Sequence, residues 1–218
     1  MPTAVITGAN SGIGFAFAQI LAKEGYDVYA CDRDISDKIK SLKTAKIYQL
    51  DVTSPESISA FARELDGGPV DVLLNVAGIM SPPEQDSVDS TTKAVLMRTF
   101  EVNAFGPLLL TQALLPNLVA RLEALATNSS GGSYAYRASK AAVNAIGKNL
   151  AIDLQSKGIV VSILHPGITN TNINPSVATH PECVEPEEAA GKLWKVLQSK
   201  DMSDTGKFWH REGYELPW

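Results

Sequence analysis

A glycine-rich octapeptide, Thr7-Gly8-Ala9-Asn10-Ser11-Gly12-Ile13-Gly14, stands between an apolar run at residues 3–7 and a stretch of helical periodicity at 13–24. Gly8 and Gly12 permit a tight turn and let a phosphate approach the backbone, and Gly14 lets the following helix lie close to a sheet. The N–H groups and dipole at the start of that helix attract anions, so the unit is a ready cradle for a pyrophosphate. A lone glycine triplet can also be a plain turn. The organisation of the remaining chain decides between the two.

That organisation is an alternation of strand and helix signals. Residues 27–31, 45–50, 70–75, 159–164 and 206–210 read as strands, by apolar runs bounded by turn residues. Residues 55–65 read as a helix with Ser54 as N-cap and Pro55 at its first position. A short polar helix fits near 36–41, and longer helices fit 91–118, 134–155 (ending near Gly158) and 187–197, with Leu193 and Trp194 on the core side of the last. Repeated strand–helix–strand units imply a parallel sheet covered on both faces. With right-handed crossovers, the expected fold is α/β: a doubly wound, three-layer Rossmann-type sheet in a single domain spanning 1–218. A chain of 218 residues suits one such domain. Ligands in these sheets bind beyond the carboxyl ends of the strands, so function belongs in the turns that follow them.

Composition removes several other classes. With 44% hydrophobic and 20% charged residues, the chain reads as an ordinary globular protein. The net charge of −5 comes without a basic stripe, which argues against nucleic acid as partner. No apolar run is long enough for a membrane span, and the chain enters its first strand without a leader pattern, so the expectation is a cytoplasmic protein. Cys31 and Cys183 are far apart and suggest no disulfide framework. His165, His180 and His210 share no metal-ligand spacing with them, so no metal is expected.

Chemistry concentrates at Tyr136 and Lys140, four residues apart and hence on one face of a helix. A phenol with a pKa of about 10 is a poor base near neutrality. A lysine cation beside it favours the phenolate and would lower that pKa. Such a phenol can give a proton to a carbonyl oxygen, or take one from an alcohol. His165 ends a strand expected to be buried and is read as structural.

The order of motifs resembles the short-chain dehydrogenase/reductase family over nearly the whole chain. Thr-Gly-x-x-x-Gly-x-Gly matches its cofactor fingerprint. Asp51-Val52 falls where the family contacts adenine. Asn75-Val76-Ala77-Gly78 matches its Asn-Asn-Ala-Gly motif, with Val76 in place of the second Asn. Asn103 sits where it keeps a catalytic Asn, Tyr136-Arg137-Ala138-Ser139-Lys140 matches Tyr-x-x-x-Lys, and Pro166-Gly167-Ile168-Thr169 lies where the family closes over the nicotinamide. The resemblance implies that Tyr136 is the acid/base, that Lys140 also holds the ribose, and that Asn103 supports a water-linked proton relay. It implies a cofactor site made of Gly8, Asn10, Ser11, Gly12, Ile13, Gly14, Asp32, Arg33, Asp51, Val52, Asn75, Ala77, Gly78, Tyr136, Lys140, Pro166, Gly167, Ile168 and Thr169. Asp32, at the end of the second strand, can accept from both ribose hydroxyls and would repel a 2′-phosphate, which favours NAD. Arg33 could pair with that phosphate and argues for NADP. NAD is the preferred expectation.

One family feature is missing. A fifth strand should precede Tyr136 and end in a catalytic serine about a dozen residues before it. The Ala/Leu/Glu-rich stretch 116–126 favours helix and has no β-branched run. Ser129 and Ser130 lie only seven and six residues ahead of Tyr136. Residues absent from the chain near 121–126, a deletion form, or a rebuilt local structure served by Ser130 would each account for this. Loss of a central strand would strand the backbone groups of its neighbours, which favours the first.

The expected function is an NAD(P)-dependent oxidoreductase interconverting a small carbonyl compound and a secondary alcohol. A non-catalytic dinucleotide-binding or regulatory protein is the alternative, and a nucleotide-sugar epimerase would need a larger substrate domain. The loop at 170–184 is the expected substrate loop. The resemblance also implies a homodimer or homotetramer built on the long helices.

Overall fold

The computed structural model describes residues 1–118, 122–124 and 133–217. Seven strands form one parallel sheet in the order β3-β2-β1-β4-β5-β6-β7: β1 Thr3–Thr7, β2 Asp27–Asp32, β3 Ala45–Gln49, β4 Val72–Leu74, β5 Leu122–Ala124, β6 Val161–His165 and β7 Phe208–His210. The helices between them are α1 Gly12–Lys23, α2 Asp37–Lys40, α3 Pro55–Glu64, α4 Lys93–Phe100, α5 Gly106–Leu114, α6 Tyr134–Leu154 and α7 Pro186–Gln198.

Strand periodicity of two makes the layers. Ala4 and Ile6 of β1 face one side with Leu74, packing on Phe15 and Leu21 of α1 and on Leu193, Trp194 and Leu197 of α7. Val5 and Leu73 face the other side, against Ile58 and Phe61 of α3 and Leu110 and Leu114 of α5. Local signals position the ends. Ser54 Oγ accepts from Ser57 N at 3.1 Å with Pro55 at the first helical position of α3, and Gly158 turns the chain after α6 with φ 74°. Among the described residues no helix is long and apolar enough to cross a membrane.

Two expectations are corrected. The fifth strand exists. Leu122–Ala124 pairs with β6 through Leu122↔Val161, Glu123↔Ser162 and Ala124↔Ile163, and with β4 through Leu73↔Leu122. The demand of two flanking strands for hydrogen-bond partners overrides a helical composition. The single helix expected over 91–118 is instead α4 and α5 joined by a π-turn at Glu101–Phe105. Pro107 has no N–H to donate to the Asn103 carbonyl four residues back, which breaks the α ladder there. Gly106 at the same place lies against Val52, whose Cγ2 would be 2.8 Å from a Cβ.

Candidate active site

The turns after β1, β2, β4 and β6 and the inner face of α6 line one cavity of about 1650 Å³. Small-molecule clefts are typically about 300–1,000 Å³, so a dinucleotide and a substrate fit together. The glycine turn is built for close approach. A Cβ on Gly14 would lie 2.3 Å from Gly8 O, and one on Gly8 would lie 2.9 Å from the Ala77 backbone. Thr7, which belongs to the fingerprint but was not among the expected site residues, locks this turn to the next. Its Oγ1 accepts from Val76 N at 3.0 Å and Ala77 N at 3.1 Å.

Of the expected cofactor residues, Asn75 alone does not line the cavity; its side-chain N and O are buried without a hydrogen-bond partner among the described residues. Asp32 lines the cavity and accepts from Asn10 N at 2.9 Å, tying the end of β2 to the glycine turn. Arg33 folds onto Asp34, with Nη2 2.8 Å from Oδ2, rather than standing free for a phosphate. Asp51 Oδ1 accepts from Thr53 N at 2.9 Å and Thr53 Oγ1 at 2.7 Å. Residues 166–169 are strapped from the C-terminal side by Arg211, which sequence reasoning missed. Its buried guanidinium donates to Pro166 O (2.6 Å), Ile168 O (3.0 Å) and Glu182 O (3.0 Å). The base of the 170–184 loop is closed by the Thr169↔Val184 bridge.

Tyr136, Lys140 and Asn144 line the cavity from one face of α6. Lys140 Nζ sits 5.7 Å from the centre of the Tyr136 ring. Burial pulls Lys140 down to about 8 and pushes the Tyr136 phenol above its ordinary value, with Arg137 acting the other way on the phenol. The expected lowering of Tyr136 by Lys140 is therefore corrected. Desolvation disfavours both charged forms.

Asn103 lies behind the cavity wall. Its Oδ1 accepts from Ile79 N at 2.8 Å, and its Nδ2 donates to Ile79 O at 2.9 Å and Ser139 Oγ at 3.0 Å, joining the π-turn to α6. The start of α6 is held by Asp86, only 1% exposed, whose carboxylate accepts from Ala135 N at 2.8 Å and Tyr136 N at 3.3 Å. Asp86 carried no sequence signal, being one acid in a polar stretch. His165 Nδ1 accepts from Gly167 N at 3.0 Å and its ring stacks on His210, an arrangement that shapes the turn. Ser129 and Ser130 lie outside the described residues. Among the described residues no cluster of His, Cys, Asp and Glu could hold a metal.

Glycine turn, strand-end acids, and a tyrosine–lysine helix face around one cavity define a Rossmann-type α/β protein of the nicotinamide-cofactor kind. Residues 2–182 match the short chain dehydrogenase family. The chain belongs to that family. It is 34% identical over its full length, and over all of the relative, to 1-hydroxy-2-glutathionyl-2-methyl-3-butene dehydrogenase of Rhodococcus sp. (strain AD45). It is 37% identical, across 73% of the chain and 99% of the relative, to the C-signal protein of Myxococcus xanthus. Carbonyl reductase from chicken fatty liver, solved with NADPH bound, superposes with a TM-score of 0.91 at 28% identity, covering 100% of this chain and 99% of that one.

Proposed function

We propose that this protein is an NAD(P)-dependent oxidoreductase that interconverts a small-molecule carbonyl and a secondary alcohol. The observation that carries the reading is that Tyr136 and Lys140, one helical turn apart, share a cavity with the glycine turn. The cofactor, when bound, supplies or takes the hydride. The glycine turn and the α1 N-terminus would hold its pyrophosphate, and Lys140 its ribose. In the reducing direction the Tyr136 phenol gives its proton to the carbonyl oxygen, and in the oxidising direction the phenolate takes it back. Asn103 holds Ile79 and Ser139 and thereby keeps the π-turn in register with α6.

NAD is the preferred cofactor in this reading. What supports this is the Asp32 carboxylate at the end of β2 beside the glycine turn, which would repel a 2′-phosphate, and the pairing of Arg33 with Asp34. Exposed Phe105, Leu109 and Ile152 support assembly into a homodimer or homotetramer, which light scattering reads directly.

Turnover of NADH and NADPH with a panel of ketones, aldehydes and secondary alcohols tests the reading. Tyr136→Phe should lower kcat by roughly 10²–10⁴ while cofactor affinity holds. Asp32→Ala should move the NADH/NADPH preference toward NADPH by about tenfold, the equivalent of one charged contact. Tight NADH binding by the wild-type chain without turnover on any substrate would instead support a non-catalytic, dinucleotide-binding role.

A further inference from the structure

A serine at a helix N-cap ordinarily uses its hydroxyl to accept from the first-turn N–H groups. Ser133 occupies the N-cap of α6, and its carbonyl accepts from Arg137 N at 2.9 Å, yet its side chain makes no capping bond. Its backbone is left-handed, with φ 50° and ψ 49°. That conformation is costly for a residue with a Cβ and collects at functional sites. The capping work is done from a distance. Asp86 takes the N–H groups of Ala135 and Tyr136, its carbonyl accepts from Ser133 N at 2.9 Å, and Thr91 Oγ1 donates to Asp86 Oδ1 at 3.1 Å. The Ser133 hydroxyl is thereby released from the helix. Of the described serines only two line the cavity: Ser11, in the glycine turn, and Ser133, three residues before Tyr136.

Resting on the oxidoreductase reading, we propose that Ser133 supplies the hydroxyl that binds the substrate oxygen beside Tyr136, in place of the serine that the family carries at the end of its fifth strand. Asp86 is the positioning residue that holds the left-handed N-cap presenting it. In the reducing direction Ser133 Oγ–H donates a hydrogen bond to the carbonyl oxygen as negative charge develops there. The proton that completes the alcohol comes from Tyr136. Ser133 keeps its own proton, so no bond within it is made or broken.

The test uses the full chain and a substrate that it turns over. Ser133→Ala should lower kcat by about 10²-fold, the usual loss for one oxyanion donor, with NADH affinity by fluorescence titration unchanged. Ser133→Gly removes the hydroxyl and the left-handed cost together. It should show the same loss of turnover with Tm raised by roughly 2 °C, a combination that a purely structural serine would not produce. An active wild type whose Ser133→Ala and Ser133→Gly variants keep kcat within twofold overturns this inference alone. So does loss of turnover in Ser130→Ala with Ser133→Ala unaffected. A wild type without any turnover overturns the oxidoreductase reading as well.

Discussion

Two helices meet the cavity at their N-termini, and the chain treats them in opposite ways. α1 begins after the glycine turn with Ser11 as N-cap, and α6 begins with Ser133 as N-cap; in both, the serine side chain makes no capping bond. At α1 no acidic residue stands in the first turn, so donors and positive dipole end remain available to an anion. At α6 the buried Asp86 carboxylate covers the first donors and cancels the same dipole end. On the proposed function, one terminus would be kept for a phosphate, and the other closed so that the side chains at its entrance, rather than its backbone, would do the chemistry.

The sharpest break of this contrast is Gly14→Ala. Its Cβ would sit 2.3 Å from Gly8 O and 2.7 Å from Gly8 C, both backbone atoms that cannot swing aside. We expect cofactor binding to fall below detection by calorimetry, with about 1–3 kcal/mol of lost stability from overpacking. Gly25→Asn serves as control. Nothing lies within 4 Å of a Cβ there, so cofactor affinity should not change.

A smaller change makes α1 resemble α6. Ser11→Asp places a carboxylate at the N-cap, which should stabilise the apo protein by about 0.5–1 kcal/mol while weakening NADH by roughly tenfold through repulsion of the pyrophosphate. Thermal melts and fluorescence titration should therefore move in opposite directions. If both rise, α1 is not the phosphate site.

A further effect is a pH dependence on the α6 side. Burial holds Lys140 at about 8, against an ordinary 10.5. Between these values the unfolded chain binds more protons at this site than the folded one, so the Lys140 contribution to stability grows as pH rises through the window. Below it, the full cost of a buried ammonium is borne. Lys140→Met should raise Tm at pH 7 and flatten its rise between pH 8 and 10.

What could be read from the sequence follows the same division. The glycine turn, β1, β2 and the Ser54–Pro55 start of α3 are set by neighbours a few residues apart, and spacing alone reveals them. The α6 entrance is set by Asp86, about fifty positions upstream of the donors that it caps, and the 166–169 turn by Arg211, more than forty positions downstream. Neither belongs to a local pattern. β5 was hidden for a related reason. Its three residues have no strand character of their own, and only the open sides of β4 and β6 make them a strand. The π-turn was hidden inside a continuous helical periodicity, although Gly106-Pro107 marked its end. The Tyr136 shift was misread because charge spacing is visible in a sequence and desolvation is not.

The place of β5 in the sheet has a mechanical consequence. Strands β3, β2, β1 and β4 form one slab, and β5, β6 and β7 another. Among the described residues the two are stitched by the Leu73↔Leu122 pair and the Val70↔Leu118 bridge. The glycine turn belongs to the first slab and the 166–169 turn to the second, so a dinucleotide seated between them would splint the seam. The N–H groups leading into β4 alternate, Asp71 toward Thr3 of β1 and Val70 toward Asn117, so amide exchange at Leu74, on the β5 side, should slow more on cofactor binding than exchange anywhere in β2.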